Sequence, residues 1–254
     1  MRPETTFEAI EESVAALNRA FGTAEAEAVL DHGLQAFGGR IALVSSFGAE
    51  SVVLLHMVSR LDPALPVLFL DTEMLFAETL AYQRELAERL GLTGVRVLRP
   101  AADLVERSDP LGDLHRRDPD LCCQIRKTAP LDAALGRYAA WITGRKRHQT
   151  AARAGLAAFE ADAAGRIKIN PLHGWSGADL ARYIDAHALP RHPLVAQGYP
   201  SIGCAPCTSP VHPDEDPRAG RWRGAEKQEC GIHFVNGRAV RVAPHEAMED
   251  RNDR

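Results

Sequence analysis

Cys122 and Cys123 are adjacent, Cys204 and Cys207 frame a C-A-P-C pair, and Cys230 stands alone in E-C-G-I-H; these are the five cysteines of the chain. Thiolates are soft ligands that select zinc or iron–sulfur clusters. Two pairs can hold a metal centre while the fifth cysteine is free to be a nucleophile. Zinc modules space paired ligands by two or more residues. Neighbours on a helix point about 100° apart, so Cys122 and Cys123 can reach one polynuclear cluster through different metal atoms. A [4Fe–4S] cluster held by Cys122, Cys123, Cys204 and Cys207 is therefore the expected cofactor. The alternative is two buried structural cysteines beside an incidental C-x-x-C.

Lys227 precedes Cys230 by three residues and His233 follows it by three. A nearby cation or imidazole lowers a thiol's pKa and raises its thiolate fraction. Gly231 gives the chain freedom to move, and Arg218, Arg221 and Arg223 come just before. Lys127 lies four residues past Cys123, on the same helix face, where it can put positive charge near a cluster or an anionic substrate. The alternative for Cys230 is a free cysteine in a loose tail.

Two loops could bind an anion. Residues 46–51 read S-F-G-A-E-S between an apolar run and a helix. A loop there aims backbone N–H groups and a helix dipole at an anion. Gly48 allows close approach, and Ser46 and Ser51 add hydroxyls. The Walker ending of Gly-Lys-Ser/Thr is absent. Residues 144–153 read G-R-K-R-H-Q-T-A-A-R after another apolar run. Arg145, Arg147 and Arg153 suit bidentate binding of phosphate or sulfate oxygens.

These residues need a scaffold. Apolar runs at 41–45, 67–70, 95–98, 141–143 and 167–169 read as strands, with helices expected at 24–37, 52–60, 75–90 and from near Cys122. Phe7, Ile10, Val14, Leu17 and Phe21 recur at helical spacing before them. The two N-terminal helices are expected on a sheet edge or a partner subunit. Ser176 and Asp179 mark the start of a helix running to about His187. Strands alternating with helices predict an α/β fold, a parallel sheet flanked by helices. Its sites should lie at the carboxyl ends of the strands, where the polar motifs fall. Residues 190–254 are expected to be mostly irregular and held by the cluster. The expected division is a nucleotide-binding domain over 1–200 and a C-terminal segment over 201–254.

The length of 254 residues suits one large domain or one with a tail. The net charge of −4 gives no reason to expect nucleic acid. No apolar run approaches the roughly 20 residues of a membrane span. The start of the chain lacks a basic-then-apolar leader, so a cytoplasmic location is expected, with thiols kept reduced.

The loop at 46–51 resembles the S-G-G-x-D-S loop of the PP-loop superfamily, with Phe47 in place of the first glycine and Glu50 in place of the aspartate. With L-D-T-E at 70–73, C-C-Q-I-R-K at 122–127, G-R-K-R-H-Q-T at 144–150, I-G-C-A-P-C-T at 202–208 and E-C-G-I-H at 229–233, the ordered set closely resembles the iron–sulfur adenylylsulfate (APS) reductases. The resemblance covers most of the chain. It implies that the Cys230 thiolate attacks the sulfur of APS, AMP leaves, and thioredoxin or a glutaredoxin-like dithiol releases sulfite from the Cys230 S-sulfonate. This chemistry serves sulfate assimilation and cysteine biosynthesis. Two anions must meet, so positive charge is needed; Lys127, Arg153, Arg218, Arg221 and His233 match positions that the family uses for it. Leu70, Asp71 and Thr72 match its adenosine-binding strand end. A homo-oligomer is expected, with the N-terminal helices as candidate subunit contacts. Departures at Ser51, His148 and Ala152 leave open a 3′-phosphorylated substrate (PAPS) or use of both. Two other classes are an ATP-dependent PP-loop enzyme of tRNA thiolation and a metal-binding or redox-sensing module.

Overall fold

Short apolar runs followed by polar loops and amphipathic stretches recur along the chain, and each becomes a strand with a covering helix. The computed structural model describes residues 4–224, Lys227, and the strands His233–Val235 and Arg238–Val240. Helices α1 (Glu4–Phe21) and α2 (Ala26–Ala36) precede β1 (Ile41–Ser45), α3 (Ser51–Leu61), β2 (Val67–Leu70), α4 (Ala77–Arg89) and β3 (Val95–Leu98). There follow α5 (Ala102–Ser108), α6 (Leu114–Arg117), α7 (Pro119–Cys123), α8 (Ala129–Leu135), β4 (Ala140–Ile142), β5 (Phe159–Ala161), β6 (Ile167–Ile169) and α9 (Gly177–Ala186). β7 (His233–Val235) and β8 (Arg238–Val240) pair antiparallel by themselves.

Six strands form one sheet in the order β3-β2-β1-β4-β6-β5. Every pairing is parallel except β5 on β6. Strand order switches direction between β1 and β4, so the loops that follow these two strands leave the sheet side by side. Alternate strand residues enter opposite layers, as the pleat requires. Leu43, Val67 and Phe69 join the main core with α3 and α4 residues, while Ala42, Leu68 and Trp141 pack with Leu131 and Leu135 of α8. The sheet is thus covered on both faces, which explains its near-continuous apolar strands.

The five expected strands are present, the fourth one residue earlier than expected. β5 was not expected; three residues are too few to show a period. α1 lies at the sheet edge, one of the two places expected for the N-terminal helices, while α2 packs against α3 and β6. Asn18 of α1 accepts from Phe159 N (3.0 Å) and donates to Phe159 O (2.8 Å), filling the open edge of β5. Ser176 and Asp179 close a reciprocal capping box before α9, as expected. The helix expected near Cys122 starts at Pro119, with the Asp118 carboxylate accepting from Leu121 N at 2.9 Å. It widens into a π-turn over Gln124–Thr128 before α8. Pro130, near the start of α8, has no N–H to bond back into this stretch, which favours the wider turn. The described part of the C-terminal segment is irregular as expected, apart from 3-10 turns at Pro193–Gln197 and Ala205–Cys207 and the β7–β8 pair. No helix among the described residues is long and apolar enough to cross a membrane.

Candidate active site

The anion loop leaves β1 with a strained backbone. Phe47 has φ +48°, in the left-handed region that favours glycine. Its ring is fully buried, edge-on to Phe69 with centroids 5.2 Å apart. Packing therefore holds a phenylalanine where the PP-loop pattern has glycine. Gly48 follows, and a Cβ there would lie 3.5 Å from the Ile202 carbonyl. This contact joins the loop to the segment carrying Cys204 and Cys207. Ser46 is exposed, and Ser51 N donates to Gly48 O at 3.1 Å as it opens α3.

Glu50 does not cap its own helix. Its carboxylate turns to the basic loop, accepting from Lys146 Nζ at 2.8 Å and Gln149 Nε2 at 3.1 Å. Arg153 in turn donates to Gln149. Burial holds the Lys146 pKa below its ordinary value; Glu50 pulls it up, and nearby Arg153 and Arg218 push it down. Those two arginines thus converge on the same place. Arg145 instead pairs with Glu160 on β5, and exposed Arg147 donates from Nε to Leu156 O at 2.7 Å. Arg153 is thus joined to the Glu50–Lys146 pair through Gln149.

The end of β2 faces the cysteines. Asp71 accepts from Arg99 Nε at 3.1 Å and from Glu73 N at 3.0 Å, and Glu73 has φ +60°. Leu70 is half-buried just before it. Thr72 Oγ1 lies 3.2 Å from Cys204 Sγ, and the Thr72 carbonyl accepts from Arg126 at 3.0 Å. Leu75 forms an isolated bridge with Cys204. A residue expected to bind adenosine therefore also forms the wall of the cysteine site.

Cys122, Cys123, Cys204 and Cys207 line one pocket, together with Arg126 and Lys127. The π-turn after Cys123 brings both cations of R-K to the same space as the adjacent thiols. Arg126 is 5% exposed and pairs with Asp109 at 2.9 Å. Its Nε is buried with no hydrogen-bond partner among the described residues. Burial and then Cys204 push the Cys207 thiol up to about 11. Burial also raises Cys122, against the pull of Arg126. Among the described residues no group of three or more His, Cys, Asp or Glu side chains is arranged to hold a metal ion. The four thiols share a pocket, not one coordination point.

Arg221 lies against Ile202 and Gly203, just before Cys204. Its NH1 donates to Ile202 O at 3.2 Å, and its guanidinium covers Gly203 so closely that a Cβ would meet NH2 at 2.3 Å. Cys230 lies outside the described residues, as does the side chain of His233. Lys146, Gln149, Arg126 and Trp222 were not among the expected site residues. The first three lie within motifs already singled out, but their burial has no signature in a polar stretch.

Residues 40–210 match the phosphoadenosine phosphosulfate reductase domain model. The chain is 52% identical over 220 residues to adenosine 5′-phosphosulfate reductase of Chelativorans sp., covering 86% of this chain and 89% of that one. It is 41% identical to phosphoadenosine 5′-phosphosulfate reductase of Gloeobacter violaceus, covering 82% and 88% of the two chains. Among solved structures, phosphoadenylyl-sulfate reductase of Candida auris aligns with a TM-score of 0.67 at 28% identity, covering 79% of this chain and 97% of that one.

Proposed function

This chain belongs to the phosphoadenosine phosphosulfate reductase domain family, and from that membership we propose that it reduces adenosine 5′-phosphosulfate to sulfite and AMP in sulfate assimilation. The observation that carries this beyond family membership is the meeting of four thiols from two distant segments in one pocket, beside a basic strand-end crevice.

Phosphosulfate binds in the crevice between the β1 and β4 loops, at the switch point of the sheet. Gly48 lets backbone approach, Ser46 and Ser51 offer hydroxyls, and Arg153, Arg218 and Arg221 offset the negative charge. Glu50 holds Lys146 and Gln149, which ties the two loops together. Leu70, Asp71 and Thr72 wall the adenosine side. Cys230 supplies the thiolate, with His233 three residues on. Its sulfur attacks the substrate sulfur, the S–O bond to AMP breaks, and AMP leaves with that electron pair. A dithiol of thioredoxin or glutaredoxin type then attacks the Cys230 sulfur and expels sulfite. Its second thiol closes a disulfide and regenerates Cys230, so the dithiol supplies both electrons.

The four pocket cysteines fit a [4Fe–4S] cluster. Such a cluster takes one thiolate at each iron, which suits thiols spread around a pocket better than one ion does. Buried thiols held this high in pKa need metal charge to ionise together. Arg126, with its free Nε, and Lys127 would face the cluster's negative charge. When bound, the cluster supplies a local charge that tunes Lys127 and the substrate anion.

Incubation with APS followed by intact mass tests the reading. An S-sulfonate adduct that maps to Cys230 and disappears in Cys230→Ser is expected. Strong preference for PAPS in turnover, as the Gloeobacter relative's name allows, would overturn the assigned nucleotide.

A further inference from the structure

Lys227 is the last described residue before Cys230, and its side chain is only 6% exposed. Its Nζ donates to Pro119 O at 3.2 Å and pairs with the Asp120 carboxylate. Pro119 and Asp120 open α7, the helix that ends in Cys122 and Cys123. The same Nζ lies 5.8 Å from the centroid of the Trp222 ring. Trp222 is 5% exposed, and its N donates to Cys207 O at 3.0 Å. One indole is thus fastened to the second cysteine pair while its ring holds the cation fastened to the first.

Two more cations share that ring: Arg221 Cζ at 4.6 Å and Lys127 Nζ at 5.9 Å. Ring quadrupoles attract cations, and here Lys127 comes from the stretch after Cys123 while Arg221 and Lys227 flank the ring in sequence. Trp222 also adopts φ +49°, a strained backbone for a bulky residue. Such strain persists where surrounding contacts over-determine it. A buried ammonium is itself uncommon unless it is paired. Lys227 has its partner in Asp120, and the strain at Trp222 marks this corner as over-determined by its contacts.

We propose that Trp222, Lys227 and Asp120 form a clasp that roots the Cys230 tail at the four-cysteine pocket, making Lys227 and Trp222 positioning residues for the nucleophile. This rests on the reading of Cys230 given above. Three residues of chain span at most about 11 Å. A chain pinned at Lys227 therefore keeps the Cys230 Cα within that reach of the Lys227 Cα. Released from Asp120, it searches a far larger volume, and the productive encounter with the substrate sulfur becomes rarer.

The test is a single turnover with APS, reading the adduct on Cys230 by intact mass. Lys227→Met and Asp120→Asn should each slow adduct formation about 10–100-fold, the effect of losing a charged hydrogen bond. The double variant should be no slower than either single, because both break one clasp. Lys227→Arg should recover most of the rate, and Trp222→Phe should be milder than Trp222→Leu. Iron content and APS binding should be unchanged in Asp120→Asn, whose site is exposed, so this variant decides the matter even if Lys227→Met folds poorly. Wild-type rates in Asp120→Asn, or effects that add in the double variant, would overturn the clasp alone. A wild-type chain that forms no adduct would overturn the assigned reaction and the clasp with it.

Discussion

Glu50 and Lys146 join the loop after β1 to the loop after β4 through a 2.8 Å ion pair in which the lysine is almost wholly buried. Removing the carboxylate alone strands a buried ammonium, whereas removing both charges does not. Glu50→Ala is expected to lower stability by about 1–3 kcal/mol. Lys146→Met in the same chain should restore part of it. Denaturant unfolding of the two variants checks this; a double variant less stable than Glu50→Ala would contradict the pairing. APS binding should weaken in both, because Gln149 and, through it, Arg153 lose their tether to Glu50.

Phe47 inverts an ordinary expectation about glycine and alanine. Its left-handed backbone is strained for any residue with a Cβ, by about 1–2 kcal/mol. Its buried ring is worth more, roughly 3–5 kcal/mol on truncation. Both Phe47→Ala and Phe47→Gly should therefore destabilise, but Gly should be the more stable of the two by about 1 kcal/mol. Chemical denaturation of the pair decides it. Equal stabilities would mean the loop relaxes away from φ +48° once the ring is gone.

The scaffold was legible because each parallel strand is an apolar run and each turn into a helix is polar. The cysteine pairs were legible because few other patterns place two cysteines side by side. Burial of charge was not. Lys146 and Arg126 lie within motifs quoted for their charge, yet one is tied to Glu50 and the other to Asp109 and Thr72. A cation committed to the fold looks the same in sequence as one that waits for an anion. Arg147 makes the same point, since its Nε is spent on the Leu156 carbonyl and nothing in the sequence marks that bond. Trp222 was missed because its role depends on contacts made in space, with Lys127 95 residues earlier and with the Cys207 carbonyl that its N–H reaches.

The four-cysteine pocket makes a compositional prediction. Protein purified without oxygen should carry roughly four iron and four acid-labile sulfide per chain. Cys123→Ser and Cys204→Ser should each lose both, one from each pair. Zinc without sulfide in the wild-type chain would contradict the cluster. Chelation of the cluster should also lower the unfolding midpoint, because ligands from α7 and from the C-terminal segment would no longer be joined through metal.

His192 sets a pH dependence whose sign is fixed by its surroundings. Burial holds its pKa down to about 4, with Glu78 pulling weakly the other way. Its Nδ1 accepts from Leu194 N at 3.2 Å, its Nε2 meets the Thr79 hydroxyl at 3.1 Å, and the Tyr82 ring lies 4.8 Å away. The unfolded chain takes up a proton here near pH 6.5, and the folded chain only near 4. Between those values the unfolded state binds more protons, so stability present above pH 6.5 is lost as pH falls towards 4. His192→Asn keeps a side-chain acceptor for Leu194 N and removes the titration. Its stability should fall less steeply than that of the wild type over this window, so the gap between the two at pH 7 should shrink by pH 4.5. Urea unfolding at both values measures the gap; a gap that stays constant would mean that His192 titrates alike in the folded and unfolded chains.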